Sequence, residues 1–363
     1  MKIPYLDLRV KSPDIKKQLL QAVDNILTHG RIILGPEVGE FENKVANFCQ
    51  SKFAVGMGSG TDALYLALRS LDVGHGDEVI TTPLSWIATA NAIVLCGATP
   101  VFVDIGEDMN INADLIETAI TEKTKVILPV HFTGRLCNME KITQIATSRD
   151  IYIVEDAAQA FGASIHGAMA GSFGDVSAFS MNAMKVFNAY GEAGAAVTNN
   201  IALADKLRSL SYGGTINKED CYYPSLNGRL DTIQAAMLSV SMMSLQAKIA
   251  RRREIAEYYN SALKDVIKCP VEDNSFQVYY SYIVRTNQRD QFKLYLDSRG
   301  IETKIHYPIL MPFHSAYKDH YSECDLPVAK RVVKEILSIP NHEGMSDNEI
   351  QYVAQCIKDF GPS

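Results

Sequence analysis

The chain has 363 residues, of which 47% are apolar and 21% are charged, and its formal net charge at pH 7 is -7. This length exceeds that of a usual single domain and the composition is that of an ordinary globular protein, so we expect two domains around at least one large core. The negative charge argues against a duplex nucleic-acid binder, which needs a basic face to displace the counterions of the phosphates.

The amino-terminal segment and the cysteines further narrow the class of protein to be expected. MKIPYLDLRVKSPDIKKQ has no apolar signal-peptide region, and no uninterrupted apolar run reaches membrane-spanning length. The seven cysteines are scattered, odd in number and never spaced Cys-x-x-Cys. They predict reduced structural thiols rather than a disulfide framework or a zinc site. We therefore expect a cytoplasmic protein with no bound metal.

Between residue 50 and about residue 200, short apolar runs alternate with longer helical ones. The first pair is FAVGMG followed by GTDALYLALRSL, and the last apolar run of the series is IYIVED. Repeated strand–helix units of this length predict a largely parallel sheet with helices on both faces. A large α/β domain follows from this pattern.

A different pattern starts near Leu230. Residues 230–263 predict one long helix or two abutting helices. Beyond them YYSYIVRT and ETKIHY predict strands, whereas QFKLYLDSRG and PVAKRVVKEILSI predict helices. We therefore predict a large α/β domain over residues 1–245 and a small C-terminal α+β domain over residues 246–363. No Pro- or Ser-rich linker separates them, so the two should pack closely.

The turn GMGSGTD, after the first apolar run, is the first candidate site. Gly58 and Gly60 permit a tight turn, and Thr61 begins a helix whose free amides and positive dipole end suit a phosphate. The same turn resembles a loose dinucleotide fingerprint, with Asp72 and Asp77 near the distance of a ribose-binding acid, although the third glycine falls one place early. Glycine turns without a ligand are common, so this signal is weak by itself.

The second candidate site is IYIVEDAAQAFGA, where a buried strand ends in Glu155 and Asp156. Gln159 would lie one helical turn beyond Asp156. A lone Asp at such a place is more often a helix cap. The alternative is an acid that stays ionised near the core because a cationic ring nitrogen lies beside it.

The third candidate site is Lys185, a charged residue in the apolar stretch FSMNAMKVFNAYGEAG. It is either a loop lysine that reaches the surface or a half-buried amine of lowered pKa that can attack a carbonyl. A phosphate seat, an acid for a pyridinium nitrogen and a half-buried lysine are together what pyridoxal phosphate (PLP) requires. The three weak signals therefore agree on one cofactor.

Ordered blocks along nearly the whole chain carry a family resemblance. They include GSGTDALYLAL, VEDAAQAFGA, GDVSAFS, NGRLDTIQAAML and RGIETKIHYP. The sequence resembles the DegT/DnrJ/StrS group of sugar-nucleotide aminotransferases, within the aspartate aminotransferase-like type I fold of PLP enzymes. The resemblance implies that L-glutamate donates an amino group to a keto group on a nucleotide-linked sugar, in amino-sugar or polysaccharide biosynthesis.

The resemblance also implies roles at matching positions. Lys185 would form the Schiff base with PLP, Asp156 would pair with the ring nitrogen, and Gln159 would contact the ring hydroxyl. Trp86 would stack on the ring, although a lone tryptophan is also read as a core anchor. The implied phosphate contacts are Gly60, Thr61, Ser180 and, from the neighbouring subunit of a homodimer with shared active sites, Asn227. The implied substrate contacts are His306, Tyr307, Arg229 and Met184.

Two segments depart from the family pattern. Residues 180–185 read SMNAMK where relatives often have S-F-x-P-[ST]-K, and residues 191–194 read GEAG instead of G-[DE]-G-G. Neither change removes a cofactor contact, but the segment before Lys185 faces the substrate. Some relatives replace this lysine by His and are dehydratases, so Lys185 favours transamination.

Several functions stay open at the level of sequence. Within the family, GRIILGPEVGEFE and RGIETKIHYP resemble enzymes that aminate C3 more than those that aminate C4, and keto-cyclitol aminotransferases share the same cofactor residues. A nicotinamide oxidoreductase would leave Asp156, Lys185 and Asn227 without a role. A sensor or regulatory protein that has kept the fold is disfavoured by the retained Lys185 and Asp156.

Overall fold

The computed structural model describes residues 2–271, 273–321 and 324–361. The helices of these ranges are α1 (Pro13–His29), α2 (Pro36–Phe48), α3 (Gly60–Ser70), α4 (Ala88–Leu95), α5 (Ile116–Ala119), α6 (Met139–Arg149), α7 (Ile201–Ser211), α8 (Thr232–Met242), α9 (Leu245–Leu263), α10 (Arg289–Ser298), α11 (Lys318–Tyr321), α12 (Pro327–Glu335) and α13 (Asp347–Phe360). Short 3-10 turns span Ala113–Leu115, Phe132–Gly134 and Met311–Phe313.

The strands of the described ranges are short, with two to five residues each. They are β1 (Phe53–Met57), β2 (Glu78–Thr81), β3 (Thr99–Phe102), β4 (Thr124–Leu128), β5 (Tyr152–Asp156), β6 (Ser164–Ile165), β7 (Ala168–Met169), β8 (Val176–Ser180), β9 (Gly194–Thr198), β10 (Thr215–Ile216), β11 (Asp220–Cys221), β12 (Tyr282–Arg285) and β13 (Ile336–Ile339).

The main sheet has seven strands in the order β1-β9-β8-β5-β4-β2-β3. Strands β3, β2, β4, β5 and β8 are parallel, whereas β9 runs antiparallel to both β8 and β1. The connection between β8 and β9 contains no helix, so the chain returns as an antiparallel neighbour instead of crossing over. The predicted, largely parallel sheet is thus confirmed.

Helices cover both faces of this sheet, as the alternating pattern predicted. One apolar core joins the sheet to α2, α6 and α8 and includes Phe41, Ile142 and Leu238. A second core, on α3, α4 and α7, includes Leu66, Ile93 and Leu207. Because β5 and β8 are parallel neighbours, their last residues lie at the same edge of the sheet.

The C-terminal part has a core of its own. Strands β12 and β13 pair antiparallel, and α9, α10 and α13 pack on them through residues such as Tyr259 and Phe292. Ile3 is fully buried in the same core and forms a parallel bridge with Ile301. Residues 230–263 form two helices, α8 and α9, and the break between them lies beside the domain boundary predicted at 245. That division into domains stays a prediction.

Two C-terminal segments differ from the sequence predictions. ETKIHY was predicted as a strand, but only Lys304 pairs, through an isolated antiparallel bridge with Ser338. Beyond it Pro308, which lacks an amide donor, helps prevent a ladder. The predicted helix PVAKRVVKEILSI ends at Glu335, and Ile336–Ile339 form β13. These four residues are buried, and their pairing with β12 outweighs the local helix preference.

None of the helices in the described ranges is both long enough and apolar enough to span a bilayer.

Candidate active site

A cavity of about 600 Å³ lies at the carboxyl edge of the main sheet. Asp156 and Ser180 reach it because they end β5 and β8, and Lys185 reaches it from the β8–β9 connection. Segments distant in sequence complete the walls, namely Gly60, Thr61, Ser85, Trp86, Thr89, Gln159, Asn182, Met184, Glu192, Tyr280, Lys304, His306 and Tyr307. The position agrees with the rule that open parallel sheets bind ligands beyond their carboxyl ends.

The start of α3 forms one end of this cavity. Ser59 is the N-cap, and its Oγ accepts a hydrogen bond from the amide of Asp62 at 3.0 Å. Within the described chain, no group accepts a hydrogen bond from the amides of Gly60 and Thr61. A Cβ atom at Gly60 would lie 2.5 Å from the Cβ of Ser180, so only glycine allows this close approach. The result is a pair of free amides beside the Ser180 hydroxyl, which suits an anion.

Asp156 is buried and oriented by two hydrogen bonds. The hydroxyl of Thr89 donates to Oδ2 at 2.8 Å, and the amide of Ala158 donates to Oδ1 at 3.2 Å. No helix follows Asp156 in the structure, so the helix-cap alternative does not apply. Burial raises the pKa of Asp156, and the Thr89 hydrogen bond and the charge of Lys185 oppose that rise. A cationic ligand nitrogen here would stabilise the ionised carboxylate.

Gln159 lies on a turn, also in the cavity wall. Its Oε1 accepts a hydrogen bond from the amide of Thr133 at 2.8 Å. With the oxygen held in this way, the Nε2 group remains available to donate to a ligand acceptor. Thr133 adopts a left-handed φ of 62°, which is uncommon for a β-branched residue. The side chain of Gln159 is therefore oriented by a loop residue whose backbone is strained.

Lys185 is half-buried and faces the ring of Tyr280, with Nζ 4.4 Å from the ring centre. Burial lowers the pKa of Lys185 to about 8, although the negative charges of Asp156 and Glu192 partly oppose the shift. A substantial neutral fraction is thus present near neutral pH, which a nucleophilic amine requires. The alternative of a surface-reaching lysine does not apply.

Trp86 and Met184 line the cavity and remain 58% and 54% exposed. The indole ring of Trp86 contacts Tyr307 at a tilt, with ring centres 5.6 Å apart. An exposed indole in a cavity wall is not a core anchor. It offers an aromatic face on which a planar ligand can stack.

His306 and Tyr307 also lie in the cavity wall, as the resemblance implied. Nδ1 of His306 shares a hydrogen bond with the Ser338 hydroxyl at 2.8 Å. Burial, assisted by the charges of Lys185 and Lys304, lowers the pKa of His306 to about 4. The ring is therefore neutral at physiological pH, and its role in substrate binding stays a prediction.

Asn227 and Arg229 are placed differently. Neither is among the described residues that line the 600 Å³ cavity of their own chain. Arg229 instead lines a second cavity of about 1110 Å³, with its guanidinium 4.2 Å from the ring centre of Tyr212. Asn227 forms a bridge with Tyr212. Their predicted contacts with cofactor and substrate would have to be made across a subunit interface.

Sequence reasoning missed the buried pair His131 and Glu155. Nε2 of His131 donates to Glu155 at 2.9 Å, because the amide of Cys137 donates to Nδ1 and so places the ring proton on Nε2. Further donors to this carboxylate are the amides of Gly171, Phe173 and Gly174 and the hydroxyl of Ser177. The pair fixes the loop that carries Thr133. A histidine directly after the apolar run KVILPV was the available signal.

Thr89, Tyr280, Glu192 and Lys304 are also cavity residues that the sequence did not single out. Thr89 lies in the first turn of α4, three residues after Trp86, so its place opposite a strand-end acid could have been proposed. The other three become neighbours only through tertiary packing. No cluster of metal-binding side chains occurs in the described ranges.

The arrangement fits PLP at three points. The free amides beside Ser180 suit its phosphate, Asp156 suits its ring nitrogen, and Lys185 suits its aldehyde. The fold brings these three groups together, because all three lie at the same edge of the main sheet.

Known proteins share this fold and are similar to this chain in sequence. A model of the DegT/DnrJ/EryC1/StrS aminotransferase family matches residues 13–358. The dTDP-3-amino-3,6-dideoxy-alpha-D-galactopyranose transaminase of Aneurinibacillus thermoaerophilus is 39% identical over 362 residues, covering 99% of each chain. S. venezuelae DesV, solved in complex with a ketimine intermediate, has a TM-score of 0.96 at 36% identity over 99% of this chain and 98% of DesV. Bacillus subtilis NtdA with bound cofactor PMP has a TM-score of 0.92 at 28% identity, over 98% of this chain and 84% of NtdA.

Proposed function

The chain belongs to the DegT/DnrJ/EryC1/StrS aminotransferase family, as its sequence blocks predicted, and we propose that it transfers an amino group from L-glutamate to the 3-keto group of a nucleotide-linked deoxysugar. The observation that carries this proposal is the half-buried Lys185 beside the buried Asp156 in one cavity. The choice of C3 is supported by the relative that forms a 3-amino-3,6-dideoxy sugar.

PLP is the cofactor, in agreement with the bound PMP of the solved relative. When bound, it supplies an aldehyde that condenses with amines and a protonated ring that withdraws electrons from the attached carbon. Gly60, Thr61 and Ser180 would hold its phosphate, and Trp86 would cover its ring. The protein supplies position, charge and proton transfer.

Lys185 performs two tasks in this proposal. In its neutral form, which a pKa of about 8 makes accessible, its Nζ would hold the cofactor at the aldehyde carbon, with the aldehyde oxygen leaving as water. When free, the same amine would accept a proton from the substrate carbon and give it back as a general base and acid. The nearby charges of Asp156 and Glu192 stabilise it when it is protonated.

Asp156 would keep a proton on the ring nitrogen. Its carboxylate cannot turn away because Thr89 and Ala158 hold both oxygens. Thr89 is itself held by Ser85, whose hydroxyl lies 3.0 Å from its own. Gln159 would donate its Nε2 group to the ring hydroxyl.

The active site would be shared between two subunits. Neither Asn227 nor Arg229 is among the described residues that line the active-site cavity of their own chain, and Arg229 lines a second cavity instead, which supports their insertion into the site of a second copy. Asn227 of the partner subunit would then reach the cofactor phosphate, and the partner's Arg229 would contact the substrate.

The test compares wild type with the variant Lys185→Ala. The wild type should be yellow after incubation with PLP and should form 2-oxoglutarate when given glutamate and a dTDP- or UDP-linked 3-keto sugar. Lys185→Ala should lose at least about 1,000-fold in turnover while keeping its fold by circular dichroism. Wild-type turnover in this variant would overturn the proposal.

The remaining functions are separated by substrate and colour. A set of 3-keto sugar, 4-keto sugar and keto-inositol acceptors, each supplied to wild type with glutamate, identifies the acceptor. Turnover of only the 4-keto sugar or only the keto-inositol would replace the C3 assignment. A colourless protein that binds NADH would instead indicate an oxidoreductase, and a colourless protein that binds neither cofactor would indicate a regulator.

A further inference from the structure

Lys304 is a second cation in the active-site cavity that the proposed chemistry does not use. Among the described residues that line the cavity, the cationic side chains are Lys185 and Lys304, because His306 is neutral. Lys185 is committed to the cofactor. We propose that Lys304 binds an anionic group of the acceptor substrate and thereby sets the preference for nucleotide-linked sugars. This inference rests on the proposed function.

The backbone of Lys304 is held by hydrogen bonds to a strand, and its side chain is half-exposed. Its amide donates to the carbonyl of Ser338 at 3.1 Å, and the amide of Ser338 donates back at 2.8 Å. Ser338 belongs to the buried strand β13 and also holds His306. The charged residue is therefore carried by a rigid element two positions from the substrate-side histidine, as a binding residue should be.

The ammonium of Lys304 has a weak partner. Nζ lies 3.0 Å from Oε1 of Glu302, and the two side chains are 52% and 50% exposed. Exposed pairs of this kind contribute little to stability, so an anionic ligand can replace Glu302 as the partner of the ammonium. Glu302 stays in place because its Oε2 accepts a hydrogen bond from the amide of Tyr5 at 3.2 Å. Lys304 can thus exchange one acceptor for a stronger one.

The charge of Lys304 also acts inside the cavity. It contributes to the lowered pKa of His306, which lies in the wall near Lys185. The acceptor must place its keto carbon beside Lys185, so its anionic group lies farther out. A half-exposed lysine in the cavity wall matches a diphosphate on the anomeric carbon, two carbons from the reacting C3 of the same ring, or a carboxylate attached at C5 of that ring.

The experiment measures steady-state constants of the PLP-loaded enzyme. Lys304→Met should raise KM for a dTDP-linked 6-deoxy-3-keto sugar roughly 10-fold, because one charge-assisted contact is lost. KM for glutamate and the rate of the glutamate half-reaction should not change. Glu302→Gln, which removes the competing carboxylate, should lower KM for the sugar. Lys304→Arg should keep it near the wild-type value.

Ionic strength and a remote variant supply the controls. Added salt should raise KM for the sugar in wild type and much less in Lys304→Met, since the screened contact is absent there. Lys293→Met removes an equivalent exposed charge, paired with Asp297 on α10, and should leave both KM values unchanged. Circular dichroism checks that each variant folds.

Two acceptor arms distinguish the sources of the anion. A 10-fold effect for both a 6-deoxy sugar and a uronate assigns Lys304 to the diphosphate, whereas an effect for the uronate alone assigns it to the sugar carboxylate. An unchanged KM for both the 6-deoxy sugar and the uronate, or a change in the glutamate KM instead, would overturn the inference. Calorimetric binding of dTDP and UDP to wild type and Lys304→Met tests the contact without turnover, so loss of the proposed function and loss of this inference remain distinguishable.

Discussion

Lys185 releases its proton at a lower pH than a lysine in water, because its surroundings disfavour the charged form. Its neutral fraction should rise about tenfold per pH unit up to pH 8 and then level off, whereas a free lysine amine, with a pKa of about 10.4, continues to gain. We expect the rate of PLP attachment to the apoprotein to follow this curve. Stopped-flow absorbance between pH 6 and pH 10 measures it, with Nα-acetyl-lysine as the reference. A rate that still climbs between pH 9 and pH 10 would contradict a lowered pKa.

Gly60 illustrates how one missing side chain creates a binding position. Gly60→Ala would force a Cβ to within 2.5 Å of the Ser180 Cβ, so the start of α3 must shift. We expect PLP binding to weaken roughly 10- to 100-fold, as measured by equilibrium dialysis of the apoprotein.

Gly74→Ala is the matched control for that change. The nearest atom to a Cβ at Gly74, in the loop after α3, is the Cys96 carbonyl oxygen at 3.9 Å, which is ordinary contact. PLP affinity should be unchanged in this variant. Equal losses in both would show that glycine flexibility, rather than the approach to Ser180, controls binding.

At the level of residues, the sequence predicted what lies at strand ends. Asp156 and Lys185 follow apolar runs, and glycines mark the start of α3. Placing each of these positions directly after a predicted strand was enough to predict that they share one site. Lys304 and Tyr280 could not be assigned in this way, because they come from the C-terminal part and reach the cavity only through packing. Arg229 lies in a different cavity of its own chain, and its predicted role depends on a second subunit.

Strand β5 ends in two acidic residues whose side chains lie on opposite faces of the sheet, because alternate residues of a strand face opposite sides. Asp156 faces the cavity, while Glu155 accepts hydrogen bonds from His131, Gly171 and Ser177 among others. Burial alone would raise the pKa of Glu155, but these hydrogen bonds outweigh burial and lower it. The carboxylate is ionised and fully partnered.

Glu155→Gln should therefore lower the free energy of unfolding by roughly 2–4 kcal/mol at pH 7, since an amide group would face several donors. A depressed carboxyl pKa stabilises the fold above the pKa of the unfolded chain, and this stabilisation is lost as pH falls through the folded value. The deficit should accordingly shrink below about pH 4.5. Urea unfolding of the apoprotein across this range tests both statements. The exposed Glu122→Gln is the control and should match wild type.

Helices and strands were predicted well where apolar residues repeat with a clear period. They were predicted poorly where pairing with another segment of the chain decides the secondary structure. The alternation from residue 50 to about residue 200 gave the parallel sheet. The run Ile336–Ile339 was assigned to a helix because it continues α12 without a break, yet its pairing with β12 makes it a strand. ETKIHY alternates like a strand but finds a partner for one residue only.

The whole molecule, on our proposal, is a dimer in which each active site draws Asn227 from the other chain. Lys185→Ala and Asn227→Ala should each be nearly inactive alone. Refolded together in equal amounts, half of the dimers are mixed and each has one intact site, so about a quarter of wild-type activity should return. Recovery measured by 2-oxoglutarate formation tests this. If Asn227 acted within its own chain, mixing would restore nothing.

The bridge between Ile3 and Ile301 also bears on the order in which the protein is made. The first residues leave the ribosome about 300 positions ahead of their binding partner, so they have no place to dock while the main sheet is already able to form. The wall that carries Lys304 and His306 is completed in the same late period. PLP binding should therefore require the part of the chain beyond residue 300. Nascent chains stalled before residue 300 should bind PLP poorly even when their main sheet resists proteases.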